Sequence, residues 1–364
     1  MMHLVVAAVL EGVCGDAQRT TSFDGPLGIA VANEGLVAVG RDGGQPTAYA
    51  LDPTGRPTAR RALEGANYAN DAVIAGELVV TRGDGLRGYA RDTGALRWHV
   101  YLPEATTEEN DVLVAYDPQH RELGVVWARS YLVSPDRPGY AYTALHFARL
   151  GLDGRWIDPR PVDLTPRDPR RAATLGHEPA MGLLHWTGRA YRLAWWQSTD
   201  GTADHGALRL GEVTRAGALA GRVVAEGNAY SFRHADGPVG TAIVWATARG
   251  SGGADTHVLL PGRSSRPARV VGGEGPMHIV WRRGAFFVAW DHEVAPGERG
   301  PRSALRLAHL DARGQLRDVR EAPLDLGADE WSYTRGVFAT PCGLVVLTHA
   351  MAAQRSRPWL WFVP

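Results

Sequence analysis

One four-part unit recurs along this chain, and that recurrence limits what it can fold into more than any other feature. The unit runs strand, tight turn, strand ending on an apolar residue, loop, strand, glycine turn, strand. Three copies are plain. The first has strands at Asp111 to Asp117, Leu123 to Arg129 and Thr143 to Leu150, then the turn Gly151-Leu152-Asp153-Gly154. The second has Leu183 to Trp186, Tyr191 to Trp196 and Leu208 to Val213, then Thr214-Arg215-Ala216-Gly217. The third has His278 to Trp281, Phe286 to Trp290 and Ala304 to Leu310, then Asp311-Ala312-Arg313-Gly314. A repeated unit that cannot bury its apolar face alone must stack on its neighbours.

Fainter copies begin near Gly28, Asp71, Tyr230 and Ser332, which gives unit starts near 28, 71, 111, 179, 230, 277 and 332. The spacing, roughly 40 to 70 residues, brackets that of propeller blades. The first turn of each unit uses residues that tolerate positive φ, such as Asn33-Glu34-Gly35, Ala75-Gly76, Thr187-Gly188 and Arg283-Gly284. The expectation is an all-β fold: a single seven-bladed β-propeller over 1–364. The last unit supplies only three strands, Tyr333 to Ala339, Leu344 to His349 and Pro358 to Val363. The apolar run His3 to Leu10 is predicted to be the N-terminal strand that closes this last blade and removes two sheet edges. That placement sets Cys14 and Cys342 on opposite faces, so no disulfide between them is expected.

The stretches Tyr191-Arg192-Leu193-Ala194-Trp195, Phe287-Val288-Ala289-Trp290 and His309-Leu310-Asp311-Ala312-Arg313-Gly314 resemble the propeller repeats abundant in large-genome bacteria such as myxobacteria. The resemblance covers most of the chain and implies a propeller, with no activity attached. Leu86 to Trp98 is similar to the tryptophan-docking repeat of quinoprotein-type propellers, which implies that Trp98 wedges between neighbouring blades. One such copy is present, where a quinone-dependent enzyme would show most of its blades so marked.

Composition narrows the chemistry. The 39 basic residues balance the 39 acidic ones, so no global field draws in nucleic acid or an anionic membrane. All the basic residues are Arg, which excludes Schiff-base and lysine-nucleophile chemistry. No apolar stretch approaches the roughly 20 residues that span a bilayer. The run before Cys14 lacks a basic leader and is interrupted by Glu11, so a soluble, cytoplasmic protein is favoured over an exported one. No zinc spacing, nucleophile elbow, P-loop or dinucleotide fingerprint is present, and no cofactor is expected beyond a Ca²⁺ that carboxylates of the central channel could hold.

Trp127, Trp195, Trp245 and Trp290 end the second strand of their units and are read as core wedges; Trp196 and Trp331 are better placed for an exposed sugar platform. Ser198 to Thr202 is similar to the aspartate box of sialidases but lacks its closing aromatic and its place in the third hairpin. In a propeller the second-to-third-strand loops share one face with the blade connections, and here the long segments fall there: 130–142, 160–178, 198–206, 292–303, 321–331 and 350–357. Function concentrates on loops held by a rigid scaffold. On that face Asp71, Asp111 and Glu178 open innermost strands, while Arg82, Arg129, His292 and His349 follow second strands. These seven are the candidate binding residues of a polar channel mouth. The leading expectation is a non-catalytic binding or scaffold propeller that docks another protein through its long-loop face. The alternative is a carbohydrate-binding or glycoside-cleaving propeller acting at the channel mouth.

Overall fold

A computed structural model describes residues 18–22, 28–32, 35–65, 72–83, 85–103, 112–132, 141–175, 184–201, 205–248, 254–262, 266–270, 277–297, 300–311, 313–322, 330–352 and 355–364. The chain is all-β, with seven sheets built as the blades of a β-propeller. Its first described strand is β1 (Gln18–Ser22). Blade 1 is β2 (Gly28–Ala32), β3 (Gly35–Asp42), β4 (Gln45–Leu51) and β5 (Pro57–Ala62). Blade 2 is β6 (Ala72–Ala75), β7 (Leu78–Gly83), β8 (Gly85–Ala90) and β9 (Leu96–Val100). Blade 3 is β10 (Val112–Asp117), β11 (Glu122–Leu132), β12 (Ala141–Gly151) and β13 (Val162–Asp163). In blade 4 two short segments, β14 (Ala173–Thr174) and β15 (His185–Trp186), both pair with β16 (Tyr191–Ser198), followed by β17 (Gly206–Val213) and β18 (Leu219–Glu226). Blade 5 is β19 (Ala229–Gly237), β20 (Gly240–Ala248), β21 (Ala254–Leu259) and β22 (Ala268–Val270). Blade 6 is β23 (Met277–Arg282), β24 (Ala285–Gly297), β25 (Gly300–Leu310) and β26 (Leu316–Ala322). Blade 7 is β27 (Glu330–Ala339), β28 (Leu344–Ala352) and β29 (Arg355–Val363), with β1 as its outermost strand.

The N-terminal strand therefore closes the last blade, but with different residues from those expected. Gln18–Ser22 pairs antiparallel with Trp359–Phe362; His3 to Leu10 lies outside the described residues. The cysteine expectation is overturned as well. Cys342 is buried and disulfide-bonded, and the sequence holds one other cysteine, Cys14, which lies outside the described residues. The expectation of two unpaired thiols depended on a closing strand at His3 to Leu10, and the strand lies further along the chain.

Contacts divide the chain into two compact units, Met1–Ala62 with His234–Val244 and Gly253–Pro364, and Leu63–Arg233 with Trp245–Gly252. In the first, side chains from blades 7 and 1 pack together through Leu36, Tyr49, Val345 and Leu360, and those of blades 6 and 7 through Leu305, Val337 and Val346. In the second, blades 2 and 3 share a core of Val80, Leu86, Trp98, Val125 and Trp127, and blades 3 and 4 one of Val126, Phe147, Tyr191 and Trp195. The outermost strands β5 and β18 are largely exposed, the pattern of a sheet wetted at its rim.

Trp127, Trp195, Trp245 and Trp290 are all buried, as their shared position predicts. Trp98 is held between two glycines: a Cβ on Gly88 would fall 2.3 Å from its ring and one on Gly154, at φ +79°, 2.5 Å from it. Its indole N–H donates to Leu152 O at 2.8 Å, which ties blade 2 to blade 3. Among the described residues no helix is long and apolar enough to cross a membrane.

Three of the segments read as loops are hairpin arms. In blade 3 the ladder runs out to Leu132↔Ala141, in blade 6 to Gly297↔Gly300, and in blade 7 to Ala352↔Arg355. The equivalent hairpins of blades 1 and 2 stop at Asp42↔Gln45 and Gly83↔Gly85.

Candidate functional site

Asp71, Asp111 and Glu178 lie outside the described residues. His292 sits on β24 opposite Ala304. Arg82 is half-buried near the end of β7, opposite Leu86. His349 is buried on β28 between Tyr333 and Pro358, and burial, with the Arg335 charge adding to it, pulls its imidazole down to about 4. Trp196, offered as an exposed platform, is buried instead: its indole donates to Gly227 O at 3.0 Å and covers Gly206. The Ser198 segment is a local turn, with Ser198 Oγ accepting from Gly201 N at 2.7 Å.

Arg129 is the predicted residue that falls in a structured polar cluster. Alternation along β11 puts Trp127, Arg129 and Tyr131 on one face. The register sets His146, Ala144 and Tyr142 of β12 directly opposite them, and Asp163 of β13 opposite His146. Tyr131 and His146 lean toward each other across the small Ala144, and the phenol oxygen lies 2.8 Å from His146 Nε2. His146 Nδ1 lies 2.9 Å from Asp163 Oδ1. Arg167 forks onto Asp163 through Nε and a terminal nitrogen at 2.8 and 3.0 Å. The guanidiniums of Arg129 and Arg167 stand 5.1 and 5.2 Å from the Tyr131 ring centre, and the Tyr142 ring stacks on it at 5.6 Å.

Strand length makes this cluster a ledge. The first hairpins of blades 2 and 3 open on the equivalent pairs Ala72↔Thr81 and Val112↔Trp127. From there β7 continues to Gly83 and β11 to Leu132. The blade 3 arm thus reaches about 10 Å further, at some 3.3 Å per residue. Its Trp127 face is the one packed on blade 2. Among the described residues, blade 2 covers this face only lower down, and Tyr131 and Tyr142, both half-buried, stand beyond the end of its described hairpin. The chain before and after β13 also carries Arg160, Arg170 and Arg171, all exposed. Its carboxylates are engaged: Asp158 by Arg149, Asp163 by Arg167, and Asp168, which caps a short 3-10 turn by accepting from Arg170 N at 2.9 Å.

A second polar cluster lies at the other end of β11. Asp117, 0% exposed, accepts from the backbone N–H groups of Gln119 and His120 at 2.9 and 3.2 Å and lies 2.6 Å from His120 Nδ1. Glu122, 2% exposed, takes a two-pronged Arg215 at 2.6 and 2.9 Å, with Arg149 at 3.6 Å. Arg149 is itself forked onto Asp158, whose hydrogen bonds hold that carboxyl below its ordinary range. Burial, reinforced by Glu122 and Asp117, pushes the nearby Tyr191 phenol far above its usual value. Asp117, His120 and Glu122 are close enough to share a metal ion, but Arg215 Nε already lies 2.6 Å from Glu122 and 3.9 Å from Asp117. The guanidinium supplies the cation that these carboxylates need.

Sequence reasoning missed Tyr131, Tyr142, His146, Asp163 and Arg167. The available signal was the matched alternation of 127, 129 and 131 against 142, 144 and 146, which becomes visible only once the register is fixed.

No protein-family model matches the chain, and no curated protein matches it. Among solved structures it is similar to the Dos1 propeller, at 10% identity and a TM-score of 0.51 over 95% of each chain. It is similar to the same degree to a protein of unknown function from Dyadobacter fermentans, at 11% identity and a TM-score of 0.51 over 97% of this chain and 98% of that one. A weaker likeness, TM-score 0.40 at 13% identity over 92% of this chain and 82% of the other, is to BamB from Moraxella catarrhalis. At these identities the likeness to the first two establishes the β-propeller fold alone.

Proposed function

We propose that this protein is a non-catalytic binding propeller that docks a protein partner on its extended second hairpins, with the blade 3 arm as a working surface. The observation that carries the reading is the ledge of Tyr131, Tyr142, Arg129 and Arg167, preformed on an arm that outreaches the neighbouring blade. Interface hot spots are enriched in Tyr and Arg because both combine large contact area with directional polar groups at low ordering cost. Here the β-ladder fixes the backbone of the arm, and the hydrogen bond to His146 restrains the Tyr131 ring before any partner arrives. Preorganisation of this kind removes part of the entropy lost on association.

The test is an affinity capture from lysate of the source organism, using the tagged chain beside a variant in which 130–142 is replaced by a two-residue Asn-Gly turn. The expected result is a stoichiometric partner that is retained by the parent and lost with the arm, at unchanged melting temperature. Identical sets of captured proteins would overturn the docking role of the arm.

A further inference from the structure

We infer that a Cys14–Cys342 disulfide staples the seam of blade 7 and that the protein works in an oxidising compartment outside the cytoplasm. The inference is independent of the docking reading and moves the chain away from the cytoplasmic placement that its sequence favours. Cys342 is disulfide-bonded, and among the described residues no cysteine is free. The chain has one other cysteine, so the partner is Cys14. Cytosolic thiol systems keep such pairs reduced, whereas secreted and periplasmic chains retain them. With both cysteines in one bond, neither thiol is left for metal binding or redox catalysis.

The place of the bond gives it a task. Among the described strands, those of blade 7 alone come from both ends of the sequence. β1 pairs with β29 at Gln18↔Phe362, Arg19↔Trp361, Thr21↔Leu360 and Ser22↔Trp359, with a register shift inside that short run. Gln-Arg-Thr-Thr-Ser offers no aliphatic or aromatic side chain to a core, so main-chain hydrogen bonds are its principal hold. An edge ladder this short opens easily. Cys14 lies four residues before that strand in the sequence, and Cys342 lies in the turn between β27 and β28. A bond between them ties the closing strand covalently to the blade it completes.

Cys342 is the fixed end of the staple. It is 5% exposed and packs with Leu36, Val345, Leu360 and Phe362 in the core shared by blades 7 and 1. Its turn is closed by Thr340, whose N–H and hydroxyl both donate to Gly343 O, at 2.9 and 3.2 Å. Blade 6 clamps the same turn: Arg282 Nε donates to Thr340 O at 3.1 Å, and Arg283 donates to Pro341 O at 2.8 Å. A Cβ at Gly343 would run into the Val363 carbonyl of β29, so the turn sits directly on the last strand. Nearly the whole chain lies between the two cysteines, and a cross-link that closes so long a loop restricts the unfolded chain strongly. Burial shields the sulfur from thiols in solution, which suits a permanent staple rather than a switch.

The experiment uses the full chain, in cells of the source organism and purified. Cells are quenched in acid and their proteins alkylated with a polyethylene glycol maleimide, before and after reduction. Dithiothreitol opens the disulfide to two protein thiols and itself closes to a cyclic disulfide. The protein is expected to take no label before reduction and two labels after it, and an unreduced digest should contain the Cys14 and Cys342 peptides joined. In scanning calorimetry Cys14→Ser, which breaks the bond and leaves the buried Cys342 side chain in place, should lower the melting temperature by about 5 °C. Cys342→Ser should cost at least as much, and the double variant should cost no more than Cys342→Ser. Dithiothreitol should lower the parent's melting temperature and leave that of Cys14→Ser unchanged. Two labels in unreduced cells would overturn the compartment, and Cys342 joined to anything but Cys14 would overturn the pairing. A Cys14→Ser variant that melts within about 1 °C of the parent would overturn the staple.

Discussion

The two ends of β11 carry the same kinds of residue, arginines, carboxylates, a histidine and a tyrosine, and put them to opposite uses. At the Glu122 end the charges are closed in: both carboxylates are buried, each is met by backbone N–H or guanidinium donors, and Tyr191 is sealed beside them. At the Leu132 end the cluster is open, because the arm outreaches blade 2 and leaves the tyrosines and guanidiniums half-covered. Strand length beyond the neighbouring blade decides which end is which. A closed cluster acts on stability, since a buried charge stripped of its partner is penalised heavily, whereas an open one is screened by water and is free to trade its contacts for a ligand's.

The contrast predicts that mutations at the closed end unfold the protein and those at the open end do not. The largest effect is expected for Arg215→Ala, which strips Glu122 of its two-pronged partner and leaves a buried carboxylate with only Arg149 at 3.6 Å. A loss of about 3 kcal/mol is expected by urea denaturation. A loss below about 1 kcal/mol would mean that the closed end is as loosely held as the open one, and the comparison would collapse.

Acid provides the second test. His349 is another closed-in group, buried in blade 7 with its pKa lowered to about 4. The unfolded chain takes up this proton near pH 6.5 and the folded chain only near 4, so stability is complete above about pH 6.5 and falls as pH drops toward 4. The ceiling is about 3 kcal/mol. His349→Gln should flatten the curve of unfolding free energy against pH in that window, and an unchanged slope would show that the acid sensitivity lies elsewhere.

Between these ends, Gly124 faces the Tyr191 ring so closely that a Cβ would fall 2.4 Å from it. Gly124→Ala should therefore cost about 1 to 3 kcal/mol through forced displacement of that ring, measured by the same denaturation, with partner capture by the arm untouched. If binding falls in step with stability, the two ends are coupled through β11 and do not act separately.

Most of the fold was legible because it is written locally. The turns carry glycines where positive φ is needed, as at Gly76 and Gly188 (φ +61° and +93°), and the wedge tryptophans recur at one repeat position and are buried. The closing strand was misplaced because an outermost strand has little apolar pattern to show: Gln-Arg-Thr-Thr-Ser reads as loop, whereas Leu4 to Leu10 reads as strand. The hairpin arms were read as loops because proline and glycine punctuate them, as in Pro296-Gly297 and Gly300-Pro301, although in the structure these residues pair across the ladder. The ledge was invisible for a different reason. Tyr131, His146 and Asp163 belong to three strands, and only the register of those strands brings them together.

The smallest expected effect is the sharpest test of the open end. Tyr131→Phe removes one hydroxyl from a half-buried ring and takes from His146, 1% exposed, its phenol partner at Nε2. Were the tie built for stability, the buried ring nitrogen left behind would be felt at about 1 to 3 kcal/mol. In an open cluster water can follow the lost hydroxyl to the arm, so a change under about 1 kcal/mol is expected in unfolding free energy. Binding should nevertheless weaken, because the ring is no longer held in place. A variant with full stability and diminished partner capture would separate the two purposes within one hydrogen bond. A variant that loses stability and keeps its affinity would move Tyr131 to the closed class and reduce the ledge to part of the blade's scaffold.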